Sequence, residues 1–319
     1  MLDSAHDGLL IQTYIVSQHG NEMDDTLAGQ LVNGEKFGVH GQVAVGQGAS
    51  QNKGPMAAAF DAVAKLPAVL ERPVILAVNT EGMSSHGGSR RIIDDLGVRA
   101  ARAVLAFGTD LNVSIGNRGR VDVHIEVPGV SSHSSQPTLG VNPLPRTAEV
   151  LTALATAPLP EPHPDLGPAT VTPYQLRFEP VAPHTIPQHG LLLVDRRLLP
   201  GEDPEDAVGS VRSHLASALD FEVLVSQGAV MLPAEVSADD QVVTSLLDEL
   251  ESLEVRSTVV HSGNTFDAGY GCSRGIPTVM FGPGRRTFGA AMTDTEWVSA
   301  DDCLLASRAL RGLISRFCG

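Results

Sequence analysis

Within 319 residues, 37 acidic side chains stand against 22 Lys and Arg, giving a formal net charge of −15. That length supports two domains of ordinary size, and so acidic a chain argues against nucleic acid and anionic membrane as partners, since both need a basic face. Three cysteines, Cys272, Cys303 and Cys318, neither make a disulfide framework nor match zinc-site spacing, and they fit a reducing compartment.

No apolar run approaches the roughly 20 residues that a membrane span needs. The first residues, Met1-Leu2-Asp3-Ser4-Ala5-His6-Asp7, lack the basic start and apolar core of a signal peptide, so a cytoplasmic protein is expected. Residues 9–16 are short, apolar and β-branched and read as a buried strand. Gly54-Pro55 marks the start of an Ala-rich helix over residues 55–70. Residues 74–78 and 103–107 are two more buried strands, and the strand–helix–strand alternation predicts a mostly parallel sheet flanked by helices. Glu81 falls just past the carboxyl end of the second strand, where ligands bind in open α/β sheets.

Near Gly116 the texture changes. Residues 121–127 alternate strictly, as a strand with one wet face does. A helix over 146–156, strands over 170–178 and 190–197, a helix over 204–219 and a strand over 221–226 give a β-α-β-β-α-β, ferredoxin-like order. After Pro233 the first texture returns, with a helix over 239–253, strands over 256–261 and 278–281, and a final helix over 300–317. The expected organisation is an α/β domain over 1–116 and 231–319, interrupted by an α+β domain over 117–230.

Several motifs sit at the ends of these elements. Gly46-Gln47-Gly48-Ala49-Ser50-Gln51-Asn52-Lys53-Gly54 resembles the G-R-G-A-S-D-x-K-G signature of the M20 metallopeptidase family. That family includes aminoacylase, acetylornithine deacetylase, succinyl-diaminopimelate desuccinylase and glutamate carboxypeptidase. Gly129-Val130-Ser131-Ser132-His133-Ser134-Ser135-Gln136-Pro137 is similar to its G-x-x-x-H-S-S-x-P lid motif, and Asp195-Arg196-Arg197 to its D-x-R strand. Ser262-Gly263-Asn264-Thr265-Phe266-Asp267-Ala268 resembles its G-x-T/S-D-A loop. The resemblance runs from about Leu9 to Phe317. It implies a zinc-exopeptidase-like catalytic domain with an inserted lid, and a homodimer joined through that lid. It also implies further elements before the first strand, and hence a shortened or trimmed catalytic domain.

The resemblance places metal ligands where this chain has other residues. The first His falls on Thr13, with Ile15 at the Asp that would orient it, and the bridging Asp falls on Gln51. The D-E-E run reads Thr80-Glu81-Gly82, which keeps the general base and loses the ligand. The E-P-T-like run reads Gly108-Thr109-Asp110, with Asp110 two positions out of register, and the last His falls on Met292. No metal and no cofactor are therefore expected, because zinc takes three or four N, O or S ligands. The alternative is an ordinary metal-dependent amidohydrolase with a site rebuilt from His40, His86 and Asp110.

The remaining positions point to a small amino-acid-like or peptide-like substrate. Glu81 is the expected general base and His133 the expected oxyanion donor or acid; the other reading of His133 is a lid residue that caps a turn. Arg197 is either a fork for a substrate carboxylate or half of a surface ion pair. His184 stands where the family often has a substrate-binding Asn, and Asn264 and Thr265 are expected substrate contacts. Gln51 and Arg286 complete the expected substrate-binding set, Arg285 and Arg286 also reading as solubilising charges. Without zinc the water is not activated, so cyclisation, acyl transfer or cleavage of an activated acyl bond is favoured over amide hydrolysis. The competing reading is a pseudoenzyme that binds a peptide-like ligand or a partner.

Overall fold

The computed structural model describes residues 8–15, 29–80, 85–284 and 296–319. Contacts divide the chain into two compact units, Met1–Asn117 with Ala234–Gly319, and Arg118–Pro233.

The first unit begins with β1 (Leu9–Tyr14), β2 (Gln30–Asn33), β3 (Gln42–Val45), helix α1 (Gly54–Ala64), β4 (Val74–Asn79), a short helix α2 (Gly87–Arg90), β5 (Arg102–Ala106) and β6 (Val113–Asn117). The second unit holds β7 (Gly119–Pro128), β8 (Ser132–His133), α3 (Pro143–Leu154), β9 (Thr170–Glu179), β10 (Thr185–Ile186), β11 (His189–Leu198), α4 (Pro204–Ala218) and β12 (Leu224–Met231). The chain then returns to the first unit through β13 (Ala234–Glu235), α5 (Gln241–Ser252), β14 (Val259–Ser262), α6 (Ala268–Ser273), β15 (Thr278–Phe281), β16 (Trp297–Ser299) and α7 (Ala300–Cys318).

The main sheet of the first unit has the order β13-β6-β15-β5-β1-β4, with β14 also on β6. Its β1–β4, β1–β5, β5–β15 and β6–β14 pairs are parallel. Every residue of β1 is buried, as a parallel strand covered on both faces requires. Leu9 and Ile11 pack with Ala58, Ala59 and Ala62 of α1 and with Leu310 and Leu313 of α7. Leu10 points the other way, into Ile92, Ile93 and Tyr270. Small Ala side chains on α1 bring that helix close to the sheet. It ends at Ala64 rather than near residue 70, because Pro67 disfavours helix in the residue before it. The antiparallel sheet β16-β3-β2 gave no signal in the sequence reading. Among the described residues, no helix is long and apolar enough to cross a membrane.

The second unit is an antiparallel sheet in the order β12-β7-β11-β9, with α3 and α4 on one face. Val121, Val123, Ile125 and Val127 of β7 are buried against Val150, Leu154, Val208, Val211 and Leu215. Asp203 caps α4 by accepting from the backbone N–H of Glu205 and Asp206. Its last strand starts at Leu224, later than the expected 221, because pairing with β7 begins there, at Glu126.

One turn sets the position of Gln51. Residues Ala49–Lys53 form a π-helical turn entered through Gly48 at φ 78°. The carboxylate of buried Glu296 accepts from Gly48 N at 2.6 Å, Ser50 N at 2.9 Å and Gln51 N at 2.9 Å. Gly284, at φ +88°, lies so close that an added Cβ would meet Ser50 O at 2.4 Å, which explains the Gly-Pro-Gly turn on its other side. Glu296→Gln keeps the shape but sets an NH₂ among backbone donors. It should destabilise the protein by about 2–4 kcal/mol, read from urea unfolding.

Candidate functional site

The carboxyl ends of β1, β5 and β15 meet the π turn. Gly108 N, just past β5, donates to Gln51 O at 2.8 Å, and the turn contacts β1 directly. Thr13 is fully buried and Gln51 nearly so. Thr13 Oγ1 and Gln51 Oε1 have no hydrogen-bond partner among the described residues. Thr109 is committed to the fold, its Oγ1 bonding Asn112 O at 2.6 Å and accepting from Gly282 N at 3.1 Å. Asp110, at φ 59°, is exposed, and so is His40. Among the described residues, no group of three or more His, Cys, Asp and Glu forms a metal-type cluster, so His40, His86 and Asp110 are not brought together. Glu81, Arg286, Arg285 and Met292 lie outside the described residues.

A second buried carboxylate organises the opposite face of β1. Asp267 Oδ2 accepts from Tyr14 Oη at 2.5 Å, and Oδ1 accepts from Ser89 Oγ at 2.9 Å and faces His86 Nδ1 at 2.8 Å. Gln12 Nε2 donates to Ser89 Oγ at 2.7 Å. His86 is buried, holds φ 60° and stacks obliquely on Tyr270. A non-glycine residue in that region persists only where its surroundings hold it, and here the imidazole is anchored to Asp267. The expected contacts Asn264 and Thr265 precede Asp267 on the same loop. Thr265 is buried, and Asn264 N donates to Ser262 Oγ at 3.4 Å. Sequence reasoning missed both carboxylates. Asp267 stood inside a quoted motif, but its partner Tyr14 is 253 positions away.

In the second unit His133 is exposed and pairs in register with Thr185. The backbone N–H of Ser135 donates to His133 Nδ1 at 3.2 Å, and Ser135 Oγ lies 2.7 Å from the same nitrogen. Nδ1 is therefore the acceptor, and in the neutral ring Nε2 carries the hydrogen. His184, at φ 53°, accepts through its carbonyl from Ser134 N at 2.7 Å, and the two imidazoles lie 6.2 Å apart. Arg197 sits on the open face of the sheet, its Nε 2.8 Å from Asp195 Oδ1 and its Nη2 donating to Oδ2 at 3.0 Å. Two of its three nitrogens thus hold Asp195, which favours the ion-pair reading over an open carboxylate fork. Asp195 stands opposite Asp122 in register. Burial raises the Asp122 carboxyl above its usual range, and Asp195 adds to this while Arg120 opposes it.

Asp267 makes stability depend on pH. Burial pushes its carboxyl up, but the bond and charge of His86 and the Tyr14 and Ser89 hydroxyls outweigh this, and it titrates below the usual range. A depressed carboxylate contributes stability that is complete above the unfolded value, near 3.9, and lost as pH falls through the folded one. Tyr14 is raised well above the usual phenol range by burial and by Asp267, so its contribution is present below about pH 10 and lost above it. Asp267→Asn should cost about 3–5 kcal/mol at neutral pH and give a shallower loss of stability from pH 4 downward, as followed by circular dichroism.

Comparison with known proteins agrees with this architecture. The family model described as the peptidase dimerisation domain of M20 proteins matches residues 115–221. Succinyl-diaminopimelate desuccinylase of Rhodospirillum centenum is 25% identical over 313 residues, covering 92% of this chain and 76% of that protein. The Escherichia coli protein YgeY is 27% identical over 226 residues, covering 65% of this chain. The chain spans 56% of that relative's length in the match. Among solved structures, the M20 metallo-carboxypeptidase Sso-CP2 of Sulfolobus solfataricus superposes with a TM-score of 0.73 at 17% identity, covering 99% of this chain and 86% of that one. Aminopeptidase PepT of Bacillus cereus gives 0.71 at 15%, covering 98% and 81%. At such identities the superpositions carry the fold alone. The dimerisation-domain match over residues 115–221 and the desuccinylase similarity relate the chain to M20 peptidases, and its fold is the one they share.

Proposed function

We propose that this chain is an M20-type enzyme that acts on a small N-acyl amino acid or peptide-like substrate without a metal. The observation that carries the reading is the pair Thr13 and Gln51, two neutral oxygens buried without partners at the carboxyl end of the sheet. Zinc pairs are held by imidazole nitrogens and carboxylates at about 2.0–2.2 Å. A hydroxyl and a carboxamide supply neither the charge nor the donor type, so these residues do not fit the family's ion pair. The nearby carboxylate of Glu296 is filled by three backbone amides.

The chemistry then rests on side chains. Glu81 is the general base and His133, reaching in from a second copy of the chain, the oxyanion donor, a role suited to the Nε2 hydrogen that the Ser135 contacts leave on its ring. An internal amine or hydroxyl of the substrate attacks the acyl carbon as Glu81 takes its proton. His133 donates to the carbonyl oxygen as it becomes anionic. Collapse re-forms the carbonyl and expels the leaving group, which recovers the proton from Glu81. The result is cyclisation or acyl transfer, and an activated ester or thioester opens by the same steps with water as nucleophile. His184, Asn264, Thr265, Gln51 and Arg286 are the proposed substrate-binding residues, and Arg197 would join them only by releasing Asp195.

The working form we propose is a cytoplasmic homodimer joined through residues 117–230. The outer strand β9 exposes Tyr174 and Leu176, and an open edge of that kind is protected when a second copy pairs with it about a two-fold axis.

Three measurements test this reading. Elemental analysis of protein purified without chelator should find far less than one zinc, manganese or cobalt per chain; stoichiometric metal that EDTA strips together with activity would overturn it. Glu81→Gln should lower turnover by roughly 10²-fold or more with little change in ligand affinity, and His133→Ala should act by a similar factor. A Glu81→Gln protein with full biological function would leave only a binding protein. Light scattering should give a dimer at micromolar concentration that Leu176→Lys shifts towards monomer, whereas a wild-type monomer would remove His133 from the mechanism.

A further inference from the structure

The two orphaned oxygens say what the site takes. Strand β1 alternates, and its odd residues Leu9 and Ile11 face α1, so Thr13 continues that face to its carboxyl end. The π turn that leads into α1 contacts β1 at this end and carries Gln51. Thr13 Oγ1 and Gln51 Oε1 thus belong to two elements in contact, both buried and both without a hydrogen-bond partner among the described residues. Buried polar atoms are nearly always satisfied; the Gln51 oxygen accepts only, the Thr13 hydroxyl can also donate, and both have lone pairs that a ligand N–H can meet.

Resting on the metal-free reading above, we propose that Thr13 and Gln51 form an acceptor pair for an uncharged NH₂ on a trigonal carbon of the substrate, as in a carboxamide or ureido group. Both acceptors are neutral. The Glu296 carboxylate behind them is saturated by Gly48, Ser50 and Gln51 amides, so a buried ammonium would find no counter-charge on this turn. An amide-type NH₂ offers two coplanar donors and no charge, which matches two neutral oxygens. The site would then distinguish NH₂ from a methyl group of the same size, because only the former satisfies the buried acceptors.

Two pairs of isosteres test this by calorimetric titration. N-carbamoylglycine is compared with N-acetylglycine for the ureido group, and succinamic acid with levulinic acid for the carboxamide. In at least one pair the NH₂ member should bind the wild-type protein about tenfold or more tightly. Thr13→Val and Gln51→Leu should each reduce that preference to near unity. Thr13→Val should also raise the Tm of the free protein by about 2 °C or more, since it replaces an unmet hydroxyl by an isosteric methyl. Equal binding within both pairs, a preference retained in both variants, or a Tm lowered by Thr13→Val would overturn the acceptor pair while leaving the proposed enzyme in place. Absence of binding by all four probes would overturn the acceptor pair and the peptide-like substrate together.

Discussion

The Glu296 carboxylate is the constraint on which the carboxyl edge of the first unit depends. A π-helical turn leaves backbone N–H groups pointing outward without partners of their own, and three of them converge on this one side chain. Anions are stabilised where successive N–H groups converge, and here the protein supplies the anion from 245 to 248 positions away in sequence. The turn fixes Gln51, admits Gly108 N to Gln51 O, and requires Gly284 beside Ser50. The second buried carboxylate, Asp267, performs a parallel task on the other face of β1, joining Tyr14, Ser89 and His86. Both acids are spent on holding backbone and loops, and neither is available as an open ligand.

That division of labour gives Thr13 and Gln51 a physical meaning. Polar atoms buried without partners destabilise the free protein. Thr13 and Gln51 are such atoms. A site drifting without function would gain stability from Val and Leu at these positions, since proteins readily acquire stabilising substitutions where nothing opposes them. In the proposed function a ligand meets these oxygens, so that their cost to the free protein is offset on binding.

Much of the architecture was legible in the sequence because it is written in local patterns. The unbroken apolar run of β1 signals a strand buried on both faces, and the strict alternation of β7 signals one with a wet face; both read correctly. The end of α1 was misplaced because Ala-rich periodicity continues past Pro67, whose steric effect on Leu66 wins. The small β16-β3-β2 sheet was not read, since its short strands carry mixed burial and β16 joins it from more than 250 residues downstream. Within the candidate site, motifs were legible and partnership was not. His133 was recognisable from its motif, but the tautomer that suits it to donate comes from Ser135 folding back on its ring.

Arg197 shows the same limit from the other side. A D-x-R strand places Asp and Arg two residues apart, on one face of the sheet, so the spacing that suggests a substrate fork also brings the two side chains together. In the structure the local pair is formed, and Asp195 opposes Asp122 across the ladder and gains a cation beside it. Arg120 does the same for Asp122. Two carboxylates and two guanidiniums therefore neutralise one another on an otherwise half-buried face, and a substrate carboxylate could recruit Arg197 only by leaving Asp195 beside Asp122 without its counter-ion. Recognition by an uncharged donor at Thr13 and Gln51 escapes that penalty, since nothing there must first be unpaired.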